Sequence, residues 1–277
     1  MDLNEVPAAA FRRHPWEIAR ARFFGKVVAQ EIPAQRAVRV LDIGAGDGYL
    51  GRSLLGGIPA GSSVTCVDPN YTDAELERFA SPPAAGLSFT RARPDGRFDV
   101  ILMLDVIEHV ADDRAFLAEI LDESLAPNGA VVVSVPAWDL LYGKHDLALK
   151  HFRRYQPAQC RALLETAGLR VVHDGGLFHS LLLPRILQRI AEATLGPLRR
   201  GGHDGAAGAA AGAAPGAAPG VAPGVAPYLG PWRGGRLLSS ALTLALDVDT
   251  GLSRRLARVG RALPGLSYWA LCHKRAV

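Results

Sequence analysis

Cysteine is scarce: three residues in 277, Cys66, Cys160 and Cys272, lie far apart with no C-x-x-C pair. A disulfide-stapled fold, a zinc ribbon and a thiol redox pair are thereby excluded; buried free thiols in a reducing compartment are expected. Long apolar runs are missing too. None reaches the roughly 18 residues of a membrane-spanning helix. Arg12, Arg13, Glu17, Arg20 and Arg22 interrupt the N-terminal region, where a signal peptide would carry its apolar core. The expected location is cytoplasmic, with a membrane-peripheral one left open. No basic stripe with interleaved aromatics accompanies the motifs below, so no nucleic-acid partner is expected.

What is present suffices for a core. Hydrophobic residues make up 49% and charged residues 21%, which excludes global disorder. The net charge of +4 hides a split. Residues 1–177 carry 19 Lys+Arg against 23 Asp+Glu, and residues 178–277 carry 12 against 4. The basic C-terminal third points to an anionic partner, phospholipid or a phosphorylated substrate, or to an arginine-rich solvated helix face.

Residues 201–227 are nearly all Gly, Ala and Pro. They lack the apolar side chains that repay the entropy of folding, so a flexible linker is expected there. Before it, apolar strand patterns at 38–44, 63–68, 87–92, 98–104, 129–136 and 169–178 alternate with helical patterns at 14–31, 48–56, 72–80, 112–124 and 157–167. Apolar strands separated by helices predict a doubly wound α/β sheet covered on both faces, with ligands at the carboxyl ends of its strands. Residues 266–274 read as a closing strand. Between 178 and 265 lie two helices with apolar faces. The first, 180–195, groups Leu183, Ile186, Leu187, Ile190 and Thr194; the second, about 236–262, is expected to break near Asp249–Gly251. Such faces pack on the parent domain, cap a substrate pocket or lie on a membrane. The expected organisation is a domain of residues 1–177 plus 266–277, interrupted by a helical insertion, 178–265.

The strongest motif is VLDIGAGDGYLG, residues 40–51. A strand runs into alternating Gly44, Gly46 and Gly48, and a helix follows. Glycine lets the backbone approach a ligand with no Cβ in the way. The frame Gly46-x-Gly48-x-x-Gly51 also satisfies a dinucleotide fingerprint. Asp42 and Asp47 flank the loop, however, and would repel a pyrophosphate. They suit S-adenosylmethionine, which has no phosphate and carries a sulfonium and an ammonium group. Asp68, ending the second strand, can accept hydrogen bonds from ribose hydroxyls of either cofactor.

The blocks LDIGAGDG, VTCVDPN, FDVILMLDVIEHV and LAPNGAVVVSVP follow in the order and spacing of the seven-strand, Rossmann-like S-adenosylmethionine-dependent methyltransferases, over about residues 38–175. The blocks DVIEHV and HFRRY particularly resemble a bacterial subset that includes ubiquinone-pathway-type O-methyltransferases and methyltransferases linked to glycan or lipid synthesis. The resemblance implies sheet order 3-2-1-4-5-7-6 with an antiparallel last strand, and S-adenosylmethionine as cofactor. It places Asp42, Gly44, Ala45 and Gly46 at the methionine end, Asp68 on the ribose, Pro69 and Asn70 near the adenine, and Leu104 and Asp105 beside the methyl group. The acidic adenine contact often found after the third strand is not matched; only Asp95 is near.

Methyl transfer to a hydroxyl needs alignment, a dry site and a base. Candidate catalytic residues are Asp105, His109, His145 and His151, with Glu108 beside them. Asp105-x-x-Glu108-His109 also resembles the metal-binding set of small-RNA 2′-O-methyltransferases and ubiquinone-pathway enzymes. His145 or His151 would complete it for magnesium or zinc, but no metal is expected, since metal-free relatives share the sequence. Arg153 and Arg154 could clamp a phosphate or carboxylate, or pair with aspartates of the body. His14, Trp16 and Glu17 could form a lid, with Trp16 alternatively a core anchor. The expected function is S-adenosylmethionine-dependent O-methylation of a small or lipid- or glycan-linked acceptor, with peripheral membrane contact through 178–265. Alternatives are a non-catalytic membrane-peripheral scaffold of the same fold, or an NAD(P)-dependent oxidoreductase.

Overall fold

The apolar run FDVILML forms β4 (Phe98–Leu104) and lies beside β1 (Arg39–Ile43), with Ile43 opposite Met103. Both strands are buried on their two faces, as the central strands of a parallel sheet must be. In the computed structural model, which describes residues 12–32, 35–195 and 232–275, they belong to a seven-stranded sheet. Its order is β3-β2-β1-β4-β5-β7-β6, with β2 Ser63–Val67, β3 Leu87–Thr90, β5 Leu125–Pro136, β6 Leu169–Leu177 and β7 Ser267–Lys274. β1 to β5 run parallel, and β7 is antiparallel to both β5 and β6. The expected order and the antiparallel closing strand are therefore found. β5 begins four residues earlier than its β-branched run suggests, because Leu125 pairs with Phe98 across a register irregularity.

Helices cover both faces. α4 (Asp113–Glu123) and α6 (Pro157–Thr166) pack Leu117, Ile120, Cys160 and Leu164 on one side. α1 (Pro15–Val28) and α8 (Arg236–Arg258) pack Phe23, Phe24, Leu246 and Ala257 on the other. The Phe23 ring meets Trp269 edge-on at 5.0 Å, worth about 1 kcal/mol beyond area burial. α2 (Tyr49–Leu55), α3 (Asp73–Phe79), α5 (Lys144–Ala148) and α7 (His179–Leu195) complete the helices. The local signals behave as their chemistry requires. Asp112 caps α4 by accepting from the Ala115 amide at 3.0 Å. Pro157 opens α6. All three cysteines are buried and free.

α8 corrects the sequence reading. It runs unbroken through Asp249–Gly251. Asp249 is employed instead as a cap for α7, its carboxylate accepting from the amides of His179 and Ser180 at 3.0 and 2.7 Å. The linker 201–227 lies outside the described residues. No described helix is long and apolar enough to cross a membrane. The parallel register brings the loops after β1, β2, β4 and β5 to one edge of the sheet, where doubly wound folds place their ligands.

Candidate cofactor and acceptor site

Gly44, leaving β1, has φ 66°, and a Cβ there would sit 2.7 Å from Val106 Cγ2. Left-handed backbone and this close approach both demand glycine. The loop is pinned from below. The amides of Gly44 and Ala45 both donate to the Val67 carbonyl, at 2.8 and 3.2 Å. The Tyr71 hydroxyl donates to the Gly46 carbonyl at 2.6 Å.

Three carboxylates surround this loop, and all three are buried. Burial pushes the Asp42 carboxyl up to about 7, against the positive charge of Arg20. Asp47 pairs with Arg13, whose guanidinium lies 3.8 Å from the centre of the Tyr49 ring. Asp68, just beyond β2, accepts from the Asn70 amide at 3.0 Å and from its side chain at 3.2 Å. Pro69 and Asn70 are exposed beside it. A loop so rich in carboxylate repels pyrophosphate and suits a cationic ligand with hydroxyls.

After β4, Leu104 is buried and Asp105 takes the left-handed conformation, φ 59°. Such backbone in a non-glycine residue persists only where its surroundings impose it. The Asp105 carboxylate accepts from Ser134 Oγ at 3.0 Å and pairs with Arg20 at 2.7 Å. Arg13, just before the α1 cap, therefore reaches over the β1 loop, and Arg20 of α1 over the end of β4. His14 and Glu17 cap α1 reciprocally, and Trp16 packs edge-on to Phe178 at 6.4 Å.

The segment Ile107–His109 forms one 3-10 turn. Glu108 is fully buried there, and neither carboxyl oxygen has a hydrogen bond. Burial, then the nearby Asp105 charge, push its carboxyl well above the ordinary range. The His109 ring meets His151 edge-on at 4.6 Å. His151 Nδ1 lies 2.9 Å from Asp146. Asp146 also accepts from Arg154 Nε at 2.8 Å and from the Gly143 amide at 2.9 Å. Burial raises the Asp146 carboxyl, but these three bonds outweigh it and hold it at about 2. It is ionised and can only accept, so in the neutral ring His151 Nδ1 carries the proton and Nε2 is the acceptor nitrogen.

Glu108, His109 and His151 bring one ligand atom each to within 4.8 Å of one another. Two imidazoles and a carboxylate are a donor set zinc can use. Asp105, expected in that set, is not part of the trio, because Arg20 and Ser134 hold its carboxylate. His145 is not part of it either; burial lowers its pKa to about 4. Arg153 and Arg154 take the body-pairing role rather than the clamp. Arg153 bonds Asp113 at 2.7 Å, and Arg154 bonds Asp146. An open cavity of about 560 Å³, lined by Asp113, Arg114, Tyr142, Arg153 and Gln159 among others, includes no residue of the loops after β1, β2 and β4. Sequence reasoning missed Arg13, Arg20, Ser134 and Asp146.

A methyltransferase-domain family model matches residues 9–174. The chain belongs to that family. Its cofactor is S-adenosylmethionine, and the dinucleotide frame at Gly46 falls with that assignment. A Mycolicibacterium smegmatis protein named "Probable S-adenosylmethionine-dependent methyltransferase" is 30% identical over 181 residues, 61% of this chain and 62% of that one. The ubiquinone biosynthesis O-methyltransferase of Azorhizobium caulinodans is 33% identical over 113 residues, 38% of this chain and 43% of its own. That of Methylobacterium nodulans is 28% identical over 185 residues, covering 58% and 71%. The methyltransferase described here thus spans less than two thirds of the first two relatives. Among solved structures, a SAM-dependent methyltransferase from Archaeoglobus fulgidus has TM-score 0.50 at 14% identity, covering 94% of each chain. The [4+2]-cyclase SpnF has TM-score 0.53 at 14% identity, covering 98% of this chain and 86% of its own. These likenesses show the fold, and a cyclase among them illustrates that fold alone does not name a reaction.

Proposed function

We propose that this methyltransferase O-methylates a hydroxyl group on a small or lipid-linked acceptor. The observation that carries the reading is the buried Asp146–His151 pair, at 2.9 Å, set against His109 at the edge where β4 and β5 end. A methyl acceptor that carries a proton needs a base, and an imidazole with its other nitrogen fixed by a carboxylate is suited to the task.

The bound cofactor supplies an electrophilic methyl group on a sulfonium leaving group. Under this reading Asp42, Gly44, Ala45 and Gly46 hold its methionine end, the ionised Asp42 carboxylate facing the ammonium. Asp68 accepts from the ribose hydroxyls. Pro69 and Asn70 flank the adenine. Leu104 and Asp105 wall the methyl side, with Arg20 and Ser134 fixing Asp105. His151 Nε2 takes the acceptor hydroxyl proton, and Asp146 steadies the resulting imidazolium. His109 packs against that ring. This chemistry needs no metal.

The test is turnover of labelled S-adenosylmethionine with a panel of hydroxylated, amine and thiol acceptors. Methyl ether products that are lost in His151→Ala support the reading. Turnover confined to amines or thiols overturns O-methylation. Cofactor binding with no turnover on any acceptor favours the non-catalytic scaffold.

A further inference from the structure

The two helices between β6 and β7 present their apolar faces outward. α8 turns Thr243, Leu246, Thr250, Ser253 and Ala257 inward, so its buried face is mostly small and polar. Its opposite face carries Leu237, Leu244, Val248 and Leu252 at i, i+7, i+11 and i+15, a spacing that groups them along one stripe. Their exposures are 89%, 65%, 67% and 44%. A surface helix usually keeps its large apolar side chains on the packed side and its polar ones outward. α7 repeats the pattern. Leu183, Leu187 and Ile190 are each more than half exposed, whereas Arg185 is buried and bonds the Leu141 carbonyl. Asp249 ties the start of α7 to the middle of α8.

The C-terminal end of the α8 stripe is cationic. Arg254, Arg255 and Arg258 fill the last turns and Arg261 follows. Among the described residues, no acidic group pairs with any of the four within 4.0 Å. Arg255 and Val259 continue the leucine stripe at the same helical spacing. The two acids of α8 are already engaged, Asp247 with Arg22 at 2.6 Å and Asp249 with the start of α7.

We propose that the outer face of α8, with that of α7, docks on an anionic phospholipid surface. Leucine and valine enter the boundary between headgroups and acyl chains, while arginine side chains extend to lipid phosphates. Charge complementarity favours lipid over a second copy of this chain. A second α8 would bring four more arginines and no free acid of its own, whereas a phosphodiester layer neutralises them. The inference stands apart from methyl transfer.

The test is co-sedimentation of the full chain with vesicles of phosphatidylcholine alone or mixed with phosphatidylglycerol. Binding should be at least about tenfold stronger to the anionic vesicles and should fall as salt is raised. Arg255→Gln/Arg258→Gln and Leu244→Ser/Val248→Ser should each weaken it about tenfold or more. Because these side chains are exposed, melting temperature and S-adenosylhomocysteine affinity should not change. Equal partitioning to both vesicle types, no vesicle binding, or both variants binding like the parent overturns the proposal. So does a dimer in solution that Leu244→Ser/Val248→Ser dissociates while vesicles go unbound; that result assigns the face to a second copy. Loss of cofactor binding in the parent chain would count against the methyltransferase reading alone.

Discussion

His151 and Asp146 form a buried pair in which a carboxylate held at about 2 fixes the imidazole tautomer through a 2.9 Å bond to Nδ1. The pair lies within a single turn-and-helix segment, yet it is anchored to the end of β4 because the Phe152 amide donates to the Glu108 carbonyl at 2.8 Å. The pair and the end of β4 are thereby held in one frame.

Removing the proposed base should separate chemistry from binding. His151→Ala should lower kcat by about 10²- to 10⁴-fold, with S-adenosylhomocysteine affinity unchanged by calorimetry. An equal loss of affinity would place His151 in cofactor binding instead.

Asp146→Asn should cost stability as well. Arg154 would be left as a buried charge without its carboxylate, which destabilises by about 3 kcal/mol or more, read from the denaturant midpoint. The depressed Asp146 carboxyl also sets a sign. Its stabilising contribution is present above the ordinary pKa of 3.8 and is lost as pH falls toward about 2. Parent and Asp146→Asn should therefore converge in stability in strong acid; a gap that persists there would contradict the assignment.

Asp42 behaves oppositely, since burial raises its carboxyl to about 7. If its ionised form faces the cofactor ammonium, binding must drive off the proton. Affinity for S-adenosylhomocysteine should be flat well above pH 7 and weaken as pH falls below it, approaching about tenfold per unit. Asp42→Asn should flatten the profile while weakening binding at high pH. A profile of the same slope in that variant would remove Asp42 from the linkage.

Gly44→Ala combines left-handed backbone with a Cβ 2.7 Å from Val106 Cγ2. The backbone term alone is about 1–2 kcal/mol, and Val106 must also shift. Lower thermal stability and weakened cofactor binding are expected together. Val106→Ala in the same chain should recover part of the loss.

The sheet was legible in the sequence because its strands carry their own label. β4 is apolar at nearly every position, and β5 and β7 are β-branched or aromatic, as burial on both faces requires. The places of Gly44 and Asp68 at the ends of β1 and β2 were legible for a related reason: strand ends in such sheets place loops at one edge. The ion pairs were not. Arg13 with Asp47, and Arg20 with Asp105, join positions far apart in the chain, and no local pattern encodes which arginine meets which aspartate. Asp146 carries no local motif that marks it as the partner of His151 and Arg154. α8 misled in two ways. Asp249–Gly251 resembles a helix stop, but Asp249 serves the neighbouring helix. Its leucine stripe resembles a core face, but Thr243, Thr250 and Ser253 on the other side fit the close packing against α1 and β6.

The most direct test of the cofactor site is calorimetric titration of the purified full chain with S-adenosylhomocysteine and, in parallel, NADH. Micromolar binding of S-adenosylhomocysteine alone is expected, abolished in Asp68→Ala while that variant keeps its fold by circular dichroism. Binding of NADH, or undiminished S-adenosylhomocysteine affinity in Asp68→Ala, would contradict it.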